Sequence, residues 1–339
     1  MSAASLATSL VTWFQHGGRD YPWRRTRDPY AILISEIMLQ QTQIATVLER
    51  GYYTRWLARF PDFVTLAAAS ETDVLNAWEG LGYYRRARNL HKLAQAVVRD
   101  HGGQFPADPE TIRHLPGIGP YTAGAVSSFA FGLAEPIVDG NVARVLSRLD
   151  NDTTPIDSTL GTKRLWERAR ELVRATDDPR AFNSALMELG QSLCKPARPA
   201  CSECPVKSHC RATDPGMLPV KSARPTITPV TERVFFHRTD DSILLEQETG
   251  SRRTGLWKLP SLPQSMHQEP PAVLMKSSYS ITRYKVTLWV HEWPYAAPQS
   301  WPANHRLIRM DELGGVAMPS PYRRALDQLS KGQDFNLEA

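Results

Sequence analysis

HLPGIGPYTAGAV, residues 114–126, sets a Gly-x-Gly turn ahead of a run of small side chains. Gly117 and Gly119 let backbone N–H groups approach an anion closely, and Pro120 suits the first position of the helix that follows. The N-terminus of that helix adds partial positive charge at the same place. The stretch therefore reads as the hairpin of a helix-hairpin-helix, a grip for a phosphate. A plain tight turn between two helices is the alternative.

Working outward, residues 8–213 read as helical. Apolar residues recur at three and four, as in Leu90, Leu93, Ala94, Val97 and Val98. Short Pro/Gly breaks such as YPW, GLGYY, HGGQFP and AEPIVDGN separate helix-sized segments. No βαβ alternation and no internal repeat is visible. Residues 214–229 carry four prolines and little periodicity, which marks a linker. Beyond it the texture changes: RVFFHRT, SILLEQE and YKVTLWVHEW read as strands, and PYRRALDQL as a closing helix. The expected organisation is a mainly α domain over residues 1–213, a linker over 214–229 and a smaller α+β domain over 230–339.

The totals exclude little. The chain has 339 residues, with 42% hydrophobic and 22% charged residues, an ordinary globular composition. A net charge of +5 is too small to establish a nucleic-acid partner without local clustering. No apolar run approaches the length of a membrane span, so no membrane partner is expected. The opening segment MSAASLATSLVTWFQ lacks the basic start of a signal peptide and reads as an amphipathic helix of a cytoplasmic protein.

Three further features carry chemistry. Cys194, Cys201, Cys204 and Cys210 are the only cysteines, spaced C-x₆-C-x₂-C-x₅-C. Four thiolates in so short a loop suit one tetrahedral zinc or one iron–sulfur cluster, and the single C-x₂-C pair tilts the choice towards iron. A redox role is one reading. The other is structural: the centre stiffens the loop 194–210, so that Lys195 and Arg198 are held out to meet phosphates. Asp139, in PIVDGNVARVLSRL, is either an N-cap or a catalytic carboxylate at a helix start. Glu36, in ISEIMLQQT (residues 34–42), is an acid among Ile32, Leu33, Ile34, Ile37, Met38 and Leu39. It is either an internal acid paired with a base such as Arg24, or a carboxyl held neutral by its apolar surroundings.

The hairpin, the downstream aspartate and the cysteine loop together resemble the endonuclease III superfamily of DNA glycosylases. SEIMLQQTQIATV, GLGYYRRARNLHK, PGIGPYTAGAV, VDGNVARVLSRL and the cysteine loop are similar to the MutY family of adenine DNA glycosylases within it, densely over residues 8–213 and more weakly beyond. The resemblance implies a helix-hairpin-helix glycosylase domain with one [4Fe-4S] cluster and a MutT-like (Nudix-like) second domain. It implies release of adenine from double-stranded DNA where adenine lies opposite 8-oxoguanine or guanine, by a monomer, with a monovalent cation at the hairpin. A related iron–sulfur glycosylase with another lesion preference, or a silent DNA-binding homologue, are the competing functions.

Residue by residue, Glu36 matches the family's general acid and Asp139 the carboxylate that steadies the positively charged sugar, supported by Asn141. Tyr121 stands where strand-cleaving relatives carry lysine; a phenol forms no Schiff base, so little or no β-lyase activity is expected. Trp23 and Arg24 match the base pocket. Leu39, Gln40, Gln41 and Thr42 are expected at the duplex, with Gln41 filling the gap left by the extruded base. Tyr83, with Leu81 beside it, is expected to wedge at the opposite base, amid Arg85, Arg86 and Arg88. Read without the resemblance, those glutamines are a solvated helix end and Tyr83 is core. In the second domain the Phe-Ser-His turn of the family is replaced by Ile281, Thr282 and Arg283. Thr282 keeps a hydroxyl, while Arg283 cannot accept a hydrogen bond; it is otherwise a phosphate contact or an exposed strand residue. No glutamate-rich helix follows TGLWKLPSLP, so no nucleotide pyrophosphohydrolase activity and no magnesium site are expected.

Overall fold

A computed structural model describes residues 2–222, 226–250, 253–293 and 301–330. In chain order its helices are α1 (Ala3–Gly17), α2 (Pro29–Leu39), α3 (Ile44–Glu49), α4 (Tyr52–Arg59), α5 (Phe63–Ala68), α6 (Glu71–Ala77), α7 (Arg85–His101), α8 (Pro109–His114), α9 (Pro120–Phe131), α10 (Gly140–Asp150), α11 (Thr159–Val173), α12 (Pro179–Ser192) and α13 (Ser320–Ser330). The strands are β1 (Thr228–Phe236), β2 (Ser242–Gln247), β3 (Trp257–Lys258), β4 (Val273–Ile281), β5 (Tyr284–Glu292) and β6 (His305–Arg309). Among the described residues no helix is long and apolar enough to cross a membrane.

The chain divides into two compact units. One joins Met1–Ala68 to Asn89–Arg224; the other joins Ala69–Arg88 to Pro225–Ala339. The expected boundaries differ from this in two ways. Most of the Pro-rich stretch belongs to the first unit: Leu218 is buried, its carbonyl accepts from Arg148 Nε at 3.1 Å, and the amide of Ser222 donates to Asp157. Residues 223–225 of that stretch lie outside the described residues. The second difference is that 69–88, read as part of the helical domain, clusters with the C-terminal residues.

The first unit is helical. α2 is buried from Tyr30 to Met38 without a gap, the pattern of a helix covered on every face. Asp28 caps it, accepting from the amides of Tyr30 and Ala31, and Pro29 opens it. Such a cap is worth about 1 kcal/mol. α9 packs on α2 through the small residues Thr122–Ser128, all buried. α10 turns Val142, Val145, Leu146 and Leu149 into a core shared with α1, α11 and α12. Gly190 lets α12 come close to the start of α10: a Cβ there would lie 2.8 Å from the Cβ of Asn141.

The second unit is α+β, as expected. Its sheets have three strands each, in the orders β1-β5-β4 and β3-β2-β6. β1 and β5 run parallel, while β4 and β5 form an antiparallel hairpin in which Ile281 faces Tyr284. That register leaves Thr282 and Arg283 as a two-residue turn, and Thr282 takes the left-handed φ of 52° that tight hairpins demand. Val234, Ile243, Leu245, Leu288, Val290 and Ile308 from the sheets meet Tyr322, Leu326 and Leu329 of α13 in one core. Residues 69–88 are tied to this unit by specific bonds. Tyr84 Oη donates to the Met318 carbonyl at 2.8 Å, Arg323 Nε to Glu79 at 2.7 Å, and Asn76 Nδ2 to the Gly315 carbonyl. α6 buries Val74 and Leu75, and local sequence does not say against which partner.

Candidate active site

Glu36 lies inside α2, 5% exposed. Tyr121, in the first turn of α9, donates its hydroxyl to Glu36 Oε2 at 2.8 Å. Burial pushes the Glu36 carboxyl up to about 7. The Tyr121 hydrogen bond opposes this, the negative charge of Asp139 reinforces it, and the positive charge of Arg24 opposes it. Tyr121 itself is raised well above a phenol's ordinary value, by burial first and then by the charges of Glu36 and Asp139. The two carboxylates and the phenol thus share one electrostatic neighbourhood.

Asp139 caps α10. Its Oδ1 accepts from the amides of Asn141 (2.9 Å) and Val142 (2.7 Å), and its Oδ2 from Asn141 Nδ2 (3.0 Å). All three donors are N–H groups, the set that a carboxylate accepts, and they sit at the positive end of a helix. Cap and candidate catalytic group are therefore the same residue in the same pose. Asn141 Oδ1 in turn accepts from Arg144 Nη2 at 2.9 Å.

A cleft of about 500 Å³, its open mouth included, borders Glu36. Trp23 and Arg24, expected at a base pocket, line it together with Leu39. So do residues that the reading of the sequence missed: Phe129 of α9, and Ser184, Met187 and Gln191 of α12. Glu188, on the same helix, was missed as well. The signal was present, since Ser184, Met187, Glu188 and Gln191 recur at helical spacing in an otherwise apolar segment. Arg24 does not pair with Glu36. Its Nη1 donates to Glu188 Oε2 at 2.8 Å, so the reading of Glu36 as one half of an Arg24 ion pair does not hold.

The hairpin between α8 and α9 requires glycine at one of its two glycine positions, since Gly119 has an extended backbone with φ −97°. Gly117 has φ +77°, and a Cβ on it would fall 2.6 Å from that of Asn89, whereas one on Gly119 would meet open space. Gly117→Ala should therefore cost about 2–4 kcal/mol, from the left-handed backbone and the overlap together, read as a lower urea midpoint. Gly119 stands exposed ahead of α9, open to an approaching anion.

The expected duplex-facing residues fall into two groups. Gln41 and Tyr83 are exposed and hold left-handed backbones, with φ 58° and 48°. Arg85, Lys195, Arg198, Thr282 and Arg283 are also exposed, and Thr42 is half-buried. The others are engaged internally. Leu81 is buried, and Gln40 donates to Thr122 Oγ1 at 3.3 Å. Arg86 donates to the carbonyls of Leu81 and Gly82 (3.0 and 3.2 Å) and lies over the rings of Trp78 and Tyr83, so it braces the turn. Arg88 binds Glu71 at 2.7 Å and the Thr254 carbonyl. The sequence displays these charges but not that carbonyls and carboxylates consume them.

The four cysteines are free thiols, in a soft donor set without oxygen or nitrogen. Among the described residues no three His, Cys, Asp or Glu side chains are grouped to hold a metal ion. The thiols nonetheless lie within electrostatic reach of one another. Burial, and then the charges of Cys194, Cys210 and Cys201, push the Cys204 thiol up to about 11. An all-sulfur set of four cysteines is the donor chemistry that an iron–sulfur centre takes, and zinc takes it as well. Arg148, 2% exposed, fastens the loop: it donates to the carbonyls of Cys194 (3.3 Å), Lys195 (2.8 Å) and Pro196 (2.8 Å) and to Cys194 Sγ (3.3 Å). Arg144 joins the Cys194 carbonyl (2.8 Å) to Asn141, so a continuous chain of hydrogen bonds runs from the loop to Asp139.

Comparison with known proteins decides the family. Residues 34–171 match the model of the HhH-GPD superfamily of base excision DNA repair proteins. An adenine DNA glycosylase of Buchnera aphidicola subsp. Baizongia pistaciae is 38% identical over 266 residues, covering 77% of this chain and 74% of the relative. The chain belongs to the adenine DNA glycosylase family. A human adenine DNA glycosylase is 48% identical over 213 residues, 60% of this chain, but the match spans only 38% of the human protein's length. Among solved structures, a thermostable thymine-DNA glycosylase superposes with a TM-score of 0.55 at 32% identity, over 62% of this chain and 95% of that one. The residues of this adenine DNA glycosylase family member that match the superfamily model include Glu36, Tyr121 and Asp139.

Proposed function

We propose that this chain releases adenine from double-stranded DNA where adenine lies opposite 8-oxoguanine or guanine, and that it does so without a lyase step. The observation that carries the reading is the buried Glu36–Tyr121 pair at 2.8 Å, under the charge of Asp139. A carboxyl raised to about 7 still holds its proton in part of the molecules at neutral pH. Glu36 gives that proton to N7 of an adenine seated in the cleft. The glycosidic bond breaks with its electron pair going to the base. Asp139 steadies the positive charge left on the sugar, and water completes the exchange. Two carboxyls in unlike settings thus divide acid and electrostatic roles. Tyr121 orients Glu36 and offers no amine to the sugar.

Double-stranded DNA is held, on this reading, by the Gly117–Gly119 hairpin, Lys195 and Arg198. Gln41, Tyr83 and Thr282 are three of the four non-glycine residues with positive φ among the described residues, and each is exposed. Strained backbones of this kind concentrate at binding positions. Gln41 fills the space of the extruded base, Tyr83 wedges at its partner, and Thr282 with Arg283 meets the lesion. Cys194, Cys201, Cys204 and Cys210 hold one [4Fe-4S] cluster, which supplies rigidity to the loop that presents Lys195 and Arg198. Arg148→Ala takes the side-chain donor from the carbonyls of Leu218, Lys195 and Pro196, while that of Cys194 keeps Arg144; the buried Leu218 carbonyl alone should cost about 1–3 kcal/mol. The variant should at least halve the bound iron, read from the brown absorbance and by iron assay.

The test is a single-turnover assay on duplexes carrying A opposite 8-oxoguanine, A opposite G, T opposite G, or thymine glycol, each with and without alkali. Strand breaks only after alkali, and only on the adenine duplexes, are expected. Breaks on the thymine duplexes alone would transfer the chain to a different lesion class.

A further inference from the structure

Glu188 has no part in the reaction described so far, yet it is a carboxylate with 2% of its surface exposed, on a helix that lines the cleft. Its Oε2 accepts from Arg24 Nη1 at 2.8 Å, and its Oε1 lies 3.2 Å from Arg19 Nε. Among the described residues, Glu188 supplies the only carboxylate in ion-pair contact with Arg24. Its guanidinium sits 4.9 Å from the ring of Phe14 and 4.8 Å from that of Tyr21, and Nη1 also donates to the Arg19 carbonyl at 2.6 Å. Arg180 Nη2 fixes the backbone beneath it through the carbonyls of Arg24 and Thr26, both at 2.7 Å.

Arg24 and Glu36 border the same cleft. A guanidinium free to turn there would draw the proton off a neighbouring carboxyl and convert a donor into one half of an ion pair. We propose that Glu188 is a positioning residue for the glycosylase reaction: it ties Arg24 into an ion pair on the α12 side of the cleft, so that Glu36 keeps its proton. The inference rests on Glu36 being the proton donor.

The groups around Glu36 leave Arg24 as the cation that matters. α9 contributes Tyr121, the start of α10 contributes Asp139, and the segment before α2 contributes Arg24. On α3 and α4, Glu49, Arg55 and Arg59 are exposed, and Tyr53 spends its hydroxyl on the Ala31 carbonyl at 3.2 Å. On α12, Arg180 is committed to the carbonyls of Phe129, Arg24 and Thr26.

The measurement is the pH dependence of single-turnover adenine release by the full chain, on a duplex with A opposite 8-oxoguanine. In Glu188→Gln the alkaline limb should move down by about one pH unit, which is a tenfold loss at pH near 8 with less than about threefold loss near pH 5.5. Glu188→Asp keeps the charge and should keep the limb in place. The double variant Arg24→Gln with Glu188→Gln should bring the limb back to the wild-type position or above, whatever its amplitude. Should Glu188→Gln fail to fold, Arg24→Gln alone should carry the limb to higher pH. An unmoved limb in Glu188→Gln, a shift that persists in the double variant, or an unmoved limb in Arg24→Gln would each overturn the proposal. An active Glu36→Gln protein would instead remove the proton donor itself, a result separable from all of these.

Discussion

Glu36→Gln should slow adenine release by about a thousandfold, the scale of a lost general acid, while binding to the lesion duplex changes by no more than a few-fold. Glutamine keeps the length of the side chain and an oxygen for the Tyr121 hydroxyl, but has no proton to give near neutrality. The wild-type rate should fall as pH rises through about 7, where Glu36 ionises, and this limb should vanish in the residual activity of the variant. Stability at this group should fall over the same rise in pH. A carboxyl whose folded value lies above its unfolded one contributes stability that is complete below the unfolded value and lost as pH rises through the folded one. Wild type should therefore lose on the order of 3 kcal/mol between about pH 4.5 and pH 7 at this group, and Glu36→Gln should not. Chemical denaturation at pH 5 and pH 8 checks the sign. A variant that is both inactive and relieved of this pH dependence ties function to a cost in stability at one side chain.

Much of this site was legible because it breaks local rules. An acid inside a mostly apolar helix is conspicuous, and so are two glycines around an isoleucine ahead of a proline. Four cysteines gathered in one loop need no structure to be noticed. What was not legible is pairing at a distance. Glu188 stands, like Glu36, between apolar neighbours (Leu186, Met187 and Leu189), yet nothing in the sequence says that one is satisfied by Arg24 and the other by a phenol. Arg86 and Arg88 look like phosphate contacts until the carbonyls of Leu81, Gly82 and Thr254 are seen to occupy them. The transfer of residues 69–88 to the C-terminal unit has the same origin. It depends on Glu79 meeting Arg323 and Tyr84 meeting the Met318 carbonyl, more than two hundred residues along the chain. Thr282 was found as a turn residue by comparison with a motif. Its left-handed φ of 52° is what identifies it physically, and a β-branched residue reveals no such preference in sequence.

Asp139→Asn should separate two roles that the geometry superimposes. As an N-cap, asparagine is as good as aspartate, since its carbonyl oxygen can accept from the amides of Asn141 and Val142. The folded state should lose only about 1 kcal/mol, part of it from the weaker attraction between a neutral side chain and the helix dipole and part from the bond of Asn141 Nδ2, which meets an NH2 where an oxygen accepted it. Catalysis should respond on another scale. An amide places no negative charge beside the cationic sugar, and the loss of one such electrostatic partner costs about a hundred- to a thousandfold in rate. Asp139→Ala should lose the same activity and, in addition, about 1–2 kcal/mol of stability with the cap. If the carboxylate were only a cap, the asparagine variant would remain active and the alanine variant would fail in proportion to its melting. Rate and urea midpoint measured side by side on the two variants therefore distinguish a helix start that carries chemistry from one that merely begins a helix.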